Sequence, residues 1–150
     1  MKKIIISGII FILIGYYLGN FIFNDLNINK LKKEEKYYFL QEGVYNNKDN
    51  LNNNISNLTN KIIDYKNNKY YVYVGITKDL EVAEKLMKIY KGDGLNIYIK
   101  EIGLSSEEFS TNVDQFDLLI KENEDNSQIL TIEEVVLANY EEIIKKSSKT

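Results

Sequence analysis

The chain of 150 residues contains no cysteine, histidine, tryptophan or proline, and all 19 of its basic residues are lysine. Without cysteine there is no disulfide framework, zinc–thiolate site, thiol nucleophile or lipoprotein anchor. Without histidine the commonest general base and metal ligand is missing. Positive charge is also short: the net charge is −3 for the whole chain. After Phe23, 17 lysines face 22 acidic residues, leaving −5. Such a chain lacks the basic surface that draws a phosphate backbone, so nucleic acid is not expected as a partner. No nucleophile elbow, P-loop or metal-ligand spacing occurs. The acidic pairs Glu107–Glu108, Glu133–Glu134 and Glu141–Glu142 fall on predicted helices among polar neighbours. They read as solvated helix surface rather than tuned acid–base pairs. The expectation is a protein without catalysis, cofactor or metal.

What is present is the composition of a folded chain, 44% hydrophobic and 27% charged, of a length that suits one domain with attachments. A basic head, Met1 to Lys3, precedes twenty uncharged residues from Ile4 to Phe23. At a rise of ~1.5 Å per residue they span the ~30 Å hydrocarbon core of a bilayer. Gly15 and Gly19 have the G-x-x-x-G spacing of pairing helices. A cleaved signal peptide is the rival reading, but the apolar run is longer than an h-region and no small-x-small site follows. The stretch is therefore read as an uncleaved anchor. Lys2 and Lys3 place the head in the cytoplasm and the domain outside, although Lys30, Lys32, Lys33 and Lys36 lie on the other flank.

After a polar linker, residues 24–36, the chain carries a diluted internal repeat. Tyr37 to Leu58 aligns with a second copy starting at Tyr70, thirty-two residues downstream when Tyr38 is set on Tyr70. Leu40 then falls on Val72, Gly43 on Gly75, Leu51 on Ala83 and Ile55 on Met87. Each copy reads as a strand ending in glycine and then an amphipathic helix. With short strands at Ile62 to Lys66 and Leu95 to Glu101, and an Asn67-Asn68 turn, the order is βαββαβ. Thr77 or Asp79 can cap the second helix. A capping box at Ser105 and Glu108 opens a third helix with the stripe Phe109, Val113, Phe116 and Ile120. Ile132, Val136, Tyr140 and Ile143 mark a fourth.

Strand alternation divides the sheet. Leu40, Tyr70, Val72 and Val74, with Leu95, Ile97 and Ile99, should meet the two helices of the repeat. The opposite face collects Tyr37, Phe39, Gln41, Tyr71, Tyr73 and Tyr98. Clustered rings on an open sheet mean either a ligand or a covering element. Tyrosines with one glutamine suit a sugar chain, stacking on pyranose faces and supplying hydrogen bonds. The two C-terminal stripes could equally fold back over these rings. Both readings stay open on residue pattern.

At Tyr38, Leu40, Gln41 and Gly43, and again at Tyr70, Val72, Val74 and Gly75, the chain resembles the SPOR domain, the peptidoglycan-binding module of bacterial division and sporulation proteins. The family's strands read Y-x-V-Q-V-G-A-F and Y-R-V-R-V-G-P-F, and the resemblance covers Tyr37 to about Glu101. It implies an α+β, SPOR-like βαββαβ sandwich with a four-stranded sheet and both helices on one face. Here an N-terminal transmembrane helix and two extra C-terminal helices flank it. The organisation is then 1–23 head and anchor, 24–36 linker, 37–103 SPOR-like domain and 104–150 helical extension. The implied function is non-catalytic binding of peptidoglycan glycan strands in cell division or sporulation, by a single-pass protein of the cell membrane whose domain lies outside the cytoplasm. The candidate glycan-binding residues are those of the aromatic face, Tyr37, Phe39, Gln41, Tyr71, Tyr73 and Tyr98, of which Gln41, Tyr71 and Tyr73 fall at positions matched by the resemblance; division or sporulation proteins are further implied partners. The alternative is a SPOR-like interaction scaffold whose sheet face the C-terminal helices cover.

Overall fold

The structure, a computed structural model, describes residues 34–147. Its strands are β1 (Glu35–Tyr45), β2 (Ile62–Lys66), β3 (Lys69–Thr77) and β4 (Tyr98–Leu104). Its helices are α1 (Lys48–Ile55), α2 (Leu80–Gly92), α3 (Glu107–Glu122) and α4 (Asn126–Ser147). The fold is α+β in the order βαββαβαα, with one antiparallel sheet ordered β2-β3-β1-β4. The two central strands are the first strands of the two repeat copies, as expected of a split β-α-β unit. Among the described residues no helix is long and apolar enough to cross a membrane. The anchor expected at residues 4–23 lies outside them, as does the linker up to Lys33.

Local chemistry explains most of the boundaries. Asp79 caps α2 by accepting the Glu81 and Val82 amides, and Asn47 caps α1 by accepting the Asn50 amide. Asn67 and Asn68, at φ 53° and 59°, make the left-handed two-residue turn between β2 and β3. Several boundaries move. The last strand runs from Tyr98 to Leu104 instead of Leu95 to Glu101, because β1 already begins at Glu35 and pairs Glu35 with Leu104 through to Gln41 with Tyr98. Glu35 and Lys36 therefore belong to the sheet, not the linker, and Lys36 holds Glu101 across the strands at 2.6 Å. With β4 displaced, α3 starts later, and its cap is Ser106, which accepts the Phe109 amide, rather than Ser105.

Register puts Gln41 beside Tyr98, Phe39 beside Lys100 and Leu40 beside Ile99, so the predicted faces hold where β1 and β4 pair, whereas Leu95 and Ile97, expected on this strand, precede it. On one side Val72 packs with Leu51 and Ile55 of α1, and Tyr45 and Tyr70 lie against this small cluster. On the other side lie Tyr37, Phe39 and Tyr73, the neighbours of α3 and α4. The buried stripes of α2, α3 and α4 join one continuous core with the sheet. The C-terminal helices are thus part of the domain's own interior.

The β1–β3 ladder carries two bulges. Val74 has no partner between the Leu40–Gly75 and Gln41–Tyr73 pairs, and Glu42 has none between Gln41–Tyr73 and Gly43–Val72. A bulge frees backbone groups that burial then obliges something else to satisfy. The Tyr90 hydroxyl of α2 donates to the Val74 carbonyl at 2.6 Å, and the Ile76 amide donates to the Glu133 carboxyl of α4 at 2.6 Å. At the other bulge the Tyr45 ring lies across Gly43, where an added Cβ would sit 2.8 Å from the Tyr45 hydroxyl. That hydroxyl donates to Glu42 at 2.9 Å.

Candidate functional site

The aromatic face assembles as the alternation predicts, but it is roofed. Phe39 stands edge-on to Tyr73 and to Tyr140 of α4, each at a centroid distance of 5.0 Å. Tyr37 stacks on Phe109 of α3 at 5.4 Å, and Phe109 in turn touches Tyr140 at 5.8 Å. Tyr37 and Phe39 are 0% exposed and Tyr73 is 1% exposed. Edge and offset contacts at these separations are the favourable geometries for aromatic rings. Burial raises the pKa of the Tyr37, Tyr73 and Tyr140 hydroxyls above the ordinary tyrosine value.

This corrects the expectation of an open sugar-stacking platform. Tyr37, Phe39 and Tyr73 are inside the protein, and Gln41 is buried with them. Tyr71 lies at the rim, half-buried, stacked on Tyr73 at 6.5 Å with the Lys66 ammonium 4.9 Å from its ring centre. Tyr98 alone of the six is open, 61% exposed on the edge strand β4. The physical reason is the pair of stripes on α3 and α4. Phe109, Val113, Phe116 and Ile120, and Ile132, Val136 and Tyr140, are all buried, and this face is where they spend their apolar surface.

Sequence reasoning missed two carboxylic acids in that roof. Glu133, read as solvated helix surface, is 0% exposed, and Asp117 is buried too. Both sit on the inward stripes: Asp117 follows Val113 by four residues, and Glu133 follows Ile129 by four. That spacing was the available signal. Asp117 accepts the Thr77 hydroxyl at 2.6 Å and the Lys78 amide at 2.9 Å, tying α3 to the end of β3. Burial raises its pKa to about 6 against these bonds. Burial likewise raises that of Glu133 to about 8, opposed by the single bond from Ile76. The partner residues Glu134, Glu141 and Glu142, with Glu107 and Glu108, are exposed as predicted.

Around the roof the polar contacts are structural. Lys78 reaches Glu35 at 2.6 Å, Asp114 at 2.9 Å and Ser110 at 2.7 Å, joining β1 and α3 to the end of β3. Lys85 of α2 donates to the carbonyls of Ile120, Lys121 and Asn123 and so closes the C-terminus of α3. Among the described residues no three carboxylates stand close enough to hold a metal ion. The surface depressions are shallow; one of about 340 Å³ lies over Glu34, Glu35, Lys36, Glu101, Ile102 and Gly103.

Among the described residues, aromatic surface is also open on the other side of the sheet. Tyr45, Tyr70 and Tyr65 stand directly opposite one another across β1, β3 and β2, on the α1 side. Tyr65 and Tyr70 are 4.6 Å apart between ring centres, and Tyr65 is 58% exposed. No protein-family model, curated protein or solved structure matches the chain.

Proposed function

We propose that this protein is a non-catalytic interaction scaffold of the SPOR-like type, held at the cell membrane by residues 4–23 with its domain outside the cytoplasm, and acting with proteins of cell division or sporulation. The observation that carries this reading is the sealed state of Tyr37, Phe39 and Tyr73 beneath Phe109 and Tyr140. A face used as core cannot stack on a sugar, so recognition falls to the outer surface. There Leu118 of α3 is 62% exposed among Asp114, Lys121 and Glu122, an apolar point in a polar surround that suits a protein contact.

The deciding experiment deletes residues 105–150 from the full-length chain. Uncovering rings that each contribute ~1.5–3 kcal/mol when buried should abolish the cooperative unfolding transition. A truncated chain that melts at the parent temperature would end the scaffold reading.

A second reading is favoured by the Tyr45–Tyr70–Tyr65 row. Peptidoglycan glycan strands could be bound there, with the tyrosine faces against the sugars and Asn68, which lies 3.5 Å from the Tyr65 hydroxyl, beside them. Pelleting of the full-length chain with stem-peptide-stripped sacculi separates the two. Pelleting that Tyr65→Ala abolishes without loss of folding establishes the glycan reading; no pelleting leaves the scaffold.

A further inference from the structure

Glu133 is placed where a helix surface acid does not belong. One oxygen accepts the Ile76 amide at 2.6 Å, and the other has no hydrogen-bond partner. The Ile76 amide is available to α4 because β2 pairs with β3 only as far as Tyr73, and the carboxyl lies over Gly75. A Cβ there would stand 3.5 Å from the bonded oxygen. The titratable groups acting on Glu133 come from two elements, Asp117 of α3 and the Tyr90 hydroxyl of α2. Both are acids. From β3 it receives a backbone amide only, since the Thr77 hydroxyl is given to Asp117 and the Lys78 ammonium to Glu35, Asp114 and Ser110. On α4 itself Ile132, Val136 and Leu137 are buried and Glu134 is exposed.

A neutral carboxyl is tolerated in such a place; an ion with one amide, one bare oxygen and acidic neighbours is not. We propose that Glu133 is a proton-operated latch: protonated, it lets α4 lie over the aromatic face of the sheet, and loss of that proton loosens α4 so that Phe39 and Tyr73 become reachable. This rests on the covered face described above. The seated acid ionises at about 8, whereas a lifted, hydrated one ionises near the ordinary glutamate value of 4.5. The seated state therefore holds a proton that the lifted state releases to solvent. Seating is strongest below the ordinary value, weakens as pH rises and is at its minimum once the pH has passed through about 8. The latch adds conditional access to a scaffold that is otherwise closed.

Hydrogen exchange read by mass spectrometry on the full-length chain in detergent tests this, comparing about pH 6 with about pH 9 after correction for intrinsic exchange. Peptides of α4 should lose about tenfold in protection or more, while those of the β1–β4 pair hold theirs. In Glu133→Gln, which keeps an acceptor for Ile76 and cannot ionise, the α4 peptides should show no such loss. Equal loss in wild type and Glu133→Gln, no loss in either, or loss spread over every strand would overturn the latch. Should Glu133→Gln fail to fold, the carboxyl carbon of Glu133 can be titrated by NMR in the wild type. A midpoint of about 8 supports the latch and an ordinary glutamate midpoint removes it. Either failure leaves the scaffold reading standing, since truncation tests that separately.

Discussion

The ring of Phe39 meets the ring of Tyr140 edge-on, with centroids 5.0 Å apart and planes inclined at 75°. One residue belongs to the first strand of the domain and the other to its last helix. That contact turns an aromatic sheet face into the middle of a three-layer interior. It also joins the C-terminal helices to the domain's core.

Removing either ring should therefore be costly. Phe39→Ala and Tyr140→Ala are each expected to lose ~3–5 kcal/mol in urea unfolding, the range for truncating a buried aromatic side chain. Tyr140→Phe, which keeps the ring, should lose far less. Equal losses for Tyr140→Phe and Tyr140→Ala would mean that the hydroxyl, not the ring contact, holds α4.

Asp117 predicts a pH dependence of its own. Its pKa is about 6 in the folded protein against 3.8 ordinarily, so the folded state binds the proton more tightly than the unfolded one. Stability associated with this group is complete below the ordinary value and is lost as pH rises through about 6. The lost amount is of the order of 3 kcal/mol, at ~1.4 kcal/mol per unit. Urea midpoints of the wild type and Asp117→Asn measured across this window should diverge. Parallel curves would show that Asp117 titrates normally.

Gly75 lies against both Leu40 and Glu133 of α4. An added methyl would lie 3.2 Å from the Leu40 Cδ1 atom and 3.5 Å from Glu133. Gly75→Ala is expected to cost ~1–3 kcal/mol through overpacking. The same change at Gly92, where nothing lies within 4 Å, should be far better tolerated.

Lys85 closes α3 by donating to three carbonyls at its end. Lys85→Met keeps the aliphatic stem and removes the donor, and should cost ~1 kcal/mol in thermal unfolding. The loss should fall on α3, seen as faster exchange of its last turn. Uniformly faster exchange would place the lysine's role elsewhere.

How much of this was legible follows from the range of each interaction. The β-α repeat, the Asn67-Asn68 turn, the Asp79 cap and the two sheet faces depend on neighbours a few residues away or on simple alternation, and all were readable. The boundaries of β4 and α3 were not, since the first residues of β1, Glu35 and Lys36, draw Leu104 and Glu101 into the sheet. Asp117 and Glu133 were hidden by their residue type. Acids on helices are usually solvated, and only their stripe positions pointed inward.

The amino-acid order by itself determined which side chains share a face, because period-two and period-3.6 patterns are built into strand and helix geometry. It also determined what was excluded, through the residue types it lacks. Whether the tyrosine face would meet solvent or protein was decided only in three dimensions. Both the sheet and the C-terminal helices carry apolar surface without a stated partner, and which surfaces pair depends on shape and on the irregular register of the central strands. Those quantities exist only once the chain has folded.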